Sequence, residues 1–257
     1  RDLPALDKIM AEKLIQICFG LRDIHKQGLV HRDLKPANII QTPNGAKVID
    51  FGLVGINPEA ANIDHLNEYV QDRGTAKEKK IRGLAYLTDP NSPVGTPVYS
   101  SPESLSGQET SDPRSDLYAL GVMFYEMLTN AVPVDYYKDG DTAKSNTEML
   151  HDKIHSKIVE PFNYRSDFKK SAVELVIMRL LKPNANDRPA TSMEIAELVA
   201  GAMLSAYPEI KDDENFKHLL QQIGKAPKEM QGRYEKWATS VISGGGNDSK
   251  DIYEKAA

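Results

Sequence analysis

"VHRDLKPANII", residues 30–40, places His31, Arg32, Asp33, Lys35 and Asn38 within eight positions and closes each end with aliphatic residues. Ionisable groups packed that tightly beside apolar segments must satisfy one another or perform chemistry. Pro36 interrupts any helix, so Asp33 and Asn38, five apart, lie on a loop. Downstream, "ANIIQTPNGAKVIDFG" (37–52) carries two apolar pairs, Ile39-Ile40 and Val48-Ile49, flanking Asn44-Gly45, which signals a hairpin. Folding at that turn returns Asp50 to the side of Asn38, twelve positions earlier. An amide oxygen and a carboxylate meeting there suit Mg²⁺, which takes few protein ligands and shares the rest with phosphate. Asp33, close by, can accept a proton from a hydroxyl nucleophile, and Lys35 can bring positive charge toward a transferring phosphoryl group.

Outward from this stretch the chain reads as mainly helical. Met10, Leu14, Ile17, Leu21 and Ile24 recur at steps of four and three, the period of one helix face, and Gly28 caps its end. Cys18 lies beside that face and reads as core. "SDLYALGVMFYEMLTN" (115–130) is apolar nearly all round apart from Glu126, so it predicts a helix inside the domain, with Ser115-Asp116 as its start signal. Further helices are expected near 144–158, 168–182 and 191–205, the last capped by Thr191. Residues 53–100, 48 in all (100 − 53 + 1), read as one long loop. From about 209 the sequence is polar, and "SGGG" (243–246) reads as a linker or fraying tail.

Bulk properties set the class. With 257 residues, 40% hydrophobic and 27% charged, the chain is expected to be globular with a substantial core. A net charge of -5 offers no electrostatic case for nucleic acid or an anionic membrane. No apolar run approaches the roughly 18 residues of a membrane span. The single cysteine excludes an intrachain disulfide and points to a reducing, cytoplasmic setting.

"HRDLKPAN" (31–38) with "DFG" (50–52) resembles the catalytic and metal-binding loops of eukaryotic-type protein kinases. "GTPVYSSPE" (95–103) is similar to the peptide-binding loop that ends the activation segment, "SDLYALG" (115–121) to the start of the central buried helix, and "NDRP" (186–189) to the late Arg motif. The resemblance implies the fold: a mainly α (α+β) kinase large lobe over 1–205, with small β-hairpins at the catalytic and metal-binding loops, catalytic loop 31–38 and activation segment 50–103. Residues 206–257 follow as a polar C-terminal extension. It implies that Asp33 orients or deprotonates the substrate hydroxyl, that Asn38 and Asp50 bind Mg²⁺, that Lys35 contacts the transferring phosphate of ATP, and that Ile40 sits beneath the adenine. His31 and Phe51 would stack in the column between lobes, Asp116 would hold the catalytic loop's backbone, and Arg188 would pair with Glu103. Lys35 and Thr96 resemble the serine/threonine branch, so protein Ser/Thr hydroxyls are the implied substrates. Arg32 implies control by phosphorylation, with Thr88 and Ser92 as candidate acceptors.

The pattern also has departures. Ser101 replaces the usual Ala before Pro102-Glu103, Tyr118 replaces a common Trp, and the segment 53–100 is long for the family. Nothing ahead of the first helix resembles a glycine-rich loop, the strand Lys or the helix Glu of the small lobe. The expectation is therefore a large lobe alone, with little activity by itself. The competing functions are a natively truncated, non-catalytic binding module and a small-molecule kinase such as the antibiotic phosphotransferases, which generally lack a "GTPVYSSPE" platform. "HDKIH" (151–155) faintly resembles a zinc protease motif but lacks its Glu and a third ligand, so a solvated helix face is expected. "KEKK" (77–80) reads as a solvated charge run. Tyr234 and Trp237 can dock either on the lobe or on a partner.

Overall fold

The computed structural model describes residues 3–50, 54–56, 97–107, 112–138, 140, 142–155, 158 and 172–244. Among the described residues the helices are α1 (Leu3–Lys26), α2 (Pro102–Leu105), α3 (Arg114–Thr129), α4 (Asn146–His155), α5 (Glu174–Leu180), α6 (Ser192–Ala206), α7 (Glu214–Ile223) and α8 (Pro227–Gly244). Among the described residues, three short antiparallel ribbons pair β1 (Leu29–Val30) with β4 (Gly55–Ile56), β2 (Ile39–Thr42) with β3 (Gly45–Val48), and β5 (Tyr137–Lys138) with β6 (Thr142–Ala143). Single 3-10 turns cover Pro36–Asn38, Ala185–Asp187 and Pro208–Asp212. Among the described residues no helix is long and apolar enough to cross a membrane.

The α3 helix forms the centre. Leu117, Tyr118, Leu120, Val122, Phe124 and Tyr125 are each at most 1% exposed, which is why its sequence is apolar all round. Burial of each such side chain contributes about 1.5–3 kcal/mol relative to leaving it in water. The helix packs closely on α5: a β-carbon at Gly121 would lie 2.7 Å from that of Leu180. The expected start signal needs correction, because Ser115 and Asp116 lie inside the first turn and neither caps it. Asp112 does that work instead, its carboxylate accepting from the Arg114 N–H at 2.9 Å and its carbonyl from the Ser115 N–H at 3.0 Å.

The α1 helix buries Met10, Leu14, Ile17, Cys18 and Leu21, as its period requires, and ends at Gly28 with φ 70°. Burial pushes the Cys18 thiol well above its ordinary range, so it is an inert core group. The β2–β3 ribbon docks on α1 through Gln16, whose Oε1 accepts from the Ala46 N–H at 2.9 Å. Thr42 pairs with Gly45, so the two-residue turn is Pro43-Asn44, one position earlier than the Asn-Gly signal suggests. Thr191 caps α6 as expected, accepting from the Glu194 N–H at 3.1 Å.

Beyond residue 206, where the polar sequence predicts an extension or tail, α7 and α8 pack on α1 and α6. Phe216, Leu219, Leu220 and Ile223 are buried along one face of α7, and Met230 and Ala238 on α8. A β-carbon at Gly201 would lie 2.3 Å from the Met230 carbonyl oxygen, so α6 and α8 nearly touch backbones. Lys8 pairs with Asp213, and the carboxylate of Glu197 is held by Arg233 and, at 3.4 Å, by Lys225. Trp237 stacks on Arg179 of α5, 5.2 Å from ring centre to guanidinium carbon, and Tyr234 lies beside it: both dock on the lobe. Residues 245–257, with the rest of "SGGG", lie outside the described residues.

Candidate active site

The 31–38 loop is suspended from α3. Asp116 is 1% exposed and its carboxylate receives three donors: the His31 N–H at 2.9 Å and His25 Nε2 at 2.8 Å on Oδ2, and the Arg32 N–H at 2.9 Å on Oδ1. A buried carboxylate is tolerable only when so satisfied, and the loop amides are turned toward it because Arg32 adopts φ 65°. Such a conformation is uncommon for a side chain as large as Arg and persists only where its surroundings over-determine it.

His31 joins the loop to the hairpin. Its ring is fully buried, Nδ1 accepts from the Asp33 N–H at 3.3 Å, and Nε2 therefore carries the proton donated to the Ile49 carbonyl at 3.0 Å. The Ile49 N–H in turn donates to the Asn38 carbonyl at 2.9 Å. These two bonds clamp the end of β3 against the loop, and the next residue is Asp50. Asp50 is exposed and also left-handed, at φ 62°.

Within the loop, Asp33 is held by its neighbours. Lys35 Nζ donates to Asp33 Oδ2 at 2.7 Å; Asn38 Nδ2 donates to the Asp33 carbonyl at 2.7 Å and to Oδ2 at 3.3 Å. Asn38, 4% exposed, thus uses its amide nitrogen inward and keeps its oxygen as the acceptor end. The Asn38 amide oxygen and the Asp50 carboxylate, two residues beyond the end of β3, are hard oxygens, a donor chemistry that fits Mg²⁺ better than a soft transition metal. Among the described residues no group of three His, Cys, Asp or Glu is arranged for a metal.

Across a narrow polar cleft lined by Arg32, Asp33, Tyr99, Ser100 and Ser115, the loop faces segment 97–101. That segment is anchored by Tyr99, whose hydroxyl donates to Glu126 at 2.8 Å. Behind it, Arg188 is 2% exposed and uses all five N–H groups: two on Glu103, at 2.6 and 2.8 Å, and three on the carbonyls of Lys182, Pro183 and Arg114 at 2.8 to 3.0 Å. Ser101 is no neutral replacement for Ala: its hydroxyl caps α2, accepting from the Ser104 N–H at 3.3 Å. Tyr118 spreads its ring under Arg188, 4.8 Å from the guanidinium carbon.

Of the sequence-derived candidates, the structure brings Asp33, Lys35 and Asn38 into direct contact and sets Asp50 on the clamped strand end. Ile40 lies on the outward face of β2, 42% exposed. Thr96, Phe51, Thr88, Ser92 and residues 77–80 lie outside the described residues. Lys153 was missed: it is buried and donates to the Val98 carbonyl at 2.7 Å. Its signal was its place one turn after Met149, on the apolar face of α4.

A model of the protein kinase domain family matches residues 5–200. The chain is 34% identical over 223 residues to "Serine/threonine-protein kinase A" of Synechocystis, covering 80% of this chain and 36% of the relative. It is 31% identical over 198 residues to "Serine/threonine-protein kinase pkn3" of Myxococcus xanthus, covering 75% of this chain and 31% of the relative. With "Serine/threonine-protein kinase PknD" of Chlamydia trachomatis it shares 41% identity over 136 residues, 51% of this chain and 13% of the relative. The chain therefore spans little more than a third of the length of these relatives, or less. Sequence motifs, the clamped loop and a family match over most of the chain converge: it belongs to the protein kinase domain family.

Proposed function

We propose that this chain carries the catalytic half of a serine/threonine protein kinase, moving the γ-phosphoryl group of Mg-ATP to Ser or Thr hydroxyls of a protein substrate. The observation that carries the reading is Asp33 fixed by Lys35 and Asn38 while facing the 97–101 segment across the cleft. Asp33 takes the proton of the incoming hydroxyl as its oxygen bonds phosphorus, and ADP leaves with the electrons of the broken bond. Lys35 sets positive charge at the reacting end, where charge develops. Asn38 and Asp50 supply the oxygen donors for Mg²⁺, which, when bound, neutralises phosphate charge. Ile40 offers exposed apolar surface suited to the adenine face.

Lys35 and Thr96 favour Ser/Thr over Tyr acceptors, as do the relatives' names. Arg32 lies against the start of the activation segment: a β-carbon at Gly55 would sit 2.1 Å from Arg32 Nε. It is placed to answer a phosphate added farther along, at Thr88 or Ser92. A reducing, cytoplasmic setting suits the one buried thiol. The test is radiolabelled ATP and Mg²⁺ with the full-length protein, presented with Ser, Thr and Tyr peptides and an aminoglycoside panel. Transfer to Ser/Thr peptides that Asp33→Asn abolishes is expected. Transfer to aminoglycosides alone, or transfer that survives Asp33→Asn, sinks the reading.

A further inference from the structure

We propose that Lys153 is a positioning residue for segment 97–101, holding the Val98 carbonyl from beneath so that the peptide-binding surface keeps its shape; this rests on the reading of that segment as the peptide platform. The α4 helix is otherwise a surface helix, with His151, Ile154 and His155 exposed. Met149 and Lys153 alone turn fully inward, at 0% and 1% exposure. Lysine is almost never buried without a partner, and the nearby Glu103 carboxylate is taken by Arg188. The Lys153 ammonium is spent instead on the Val98 carbonyl, 2.7 Å away, and on the Tyr118 ring, 5.0 Å from its centre.

The same ring carries Arg188, which grips Glu103 just past the segment. The stretch from 98 to 103 is thus held at three points: Val98 by Lys153, Tyr99 by Glu126, and Glu103 by Arg188. Two of the three anchors share Tyr118, a residue contributed by the helix that also suspends the 31–38 loop. Without Lys153 the Val98 carbonyl loses its donor and the segment pivots on the remaining two. Burial, with Arg188 nearby and only Glu103 opposing, lowers the Lys153 pKa to about 7, so the group is costly to keep there; His151, Asp152 and His155 belong to the solvent side of α4.

Lys153→Met keeps length and apolar bulk while deleting the donor; Lys153→Arg keeps a charged donor. Two measurements on the full-length protein decide the matter: steady-state kinetics with a phosphorylatable Ser/Thr peptide, and hydrogen exchange of amides 97–105. For Lys153→Met, peptide KM should rise about tenfold, the scale of one charged hydrogen bond, with ATP KM unchanged. Exchange should accelerate in 97–105 and stay unchanged in α3 and α6. Lys153→Arg should recover part of both losses. Unchanged exchange at 97–105 overturns the proposal, as does a fall in kcat with both KM values moving together. If the wild-type protein phosphorylates no peptide, the kinase reading fails by itself, and the exchange data still decide the role of Lys153.

Discussion

The 31–38 loop and the α6–α8 contact are both tightly built, the first mainly from polar contacts and the second mainly from shape. Around the loop, position is imposed by polar groups that each satisfy another, with Asp116 taking three donors and His31 bridging to Ile49, while Leu34 is buried in the core. Between α6 and α8, position is imposed by shape together with the Glu197–Arg233 ion pair: Gly201 allows the Met230 backbone to approach, while Trp237 of α8 closes over Arg179 of α5. The first arrangement fixes identity at every position. The second rests more on volume and an apolar stripe, which many sequences satisfy.

The comparison can be broken most severely at the loop. Asp33→Asn should lower turnover by orders of magnitude with an unchanged melting temperature, because the amide keeps the shape but cannot take the proton; steady-state phosphorylation with parallel thermal melts checks both halves. Next comes Arg188→Ala, which leaves Glu103 and three carbonyls without their donor. It should cost about 3–5 kcal/mol in chemical denaturation, the scale of breaking one partner of a buried ion pair.

Lys153 sharpens the comparison through pH. Its proton affinity is lowered on folding, from 10.5 to about 7, so across that window the unfolded chain carries a proton that the folded one lacks. Stability should therefore rise with pH through the window, by a total on the order of a few kcal/mol, and the full penalty should be present below it. Lys153→Met should flatten that slope, measured as denaturation midpoints at successive pH values.

Gly201→Ala tests the shape-built region. The added carbon meets backbone that cannot swing aside, so α8 must back away, at about 1–3 kcal/mol, while turnover per folded molecule holds. The smallest effect is expected at Ser101→Ala, where loss of the α2 cap should cost about 1 kcal/mol in a melt.

Legibility in the sequence followed the same division. The α1 period, the buried α3 helix and the Thr191 cap were readable because each rests on local spacing or one side chain's hydrogen bond. The α3 start was misplaced because Asp116 looks like a cap in sequence, whereas its carboxylate is taken by His31, Arg32 and His25, up to 91 positions away. The α7 and α8 helices were overlooked although Phe216, Leu219, Leu220 and Ile223 follow helix spacing: average polarity hid the stripe. Asp213 and Gly224 were also signals, the one accepting from the Phe216 N–H at 3.1 Å and the other left-handed at φ 77°. Lys153 was passed over because a lysine in a polar stretch reads as solvated, and only the neighbours brought by Tyr118 and Val98 give its ammonium a place inside.

By itself, the sequence determined the candidate groups, Asp33, Asn38 and Asp50, and the one loop and one hairpin that carry them, since such short-range folding is set by turn residues and period. Tertiary structure decided how firmly those groups are held and what else touches them. Asp116, Arg188 and Lys153 act across dozens of positions, and their partners become neighbours only once the core has formed, because burial turns an ordinary polar side chain into one that must find a specific donor or acceptor.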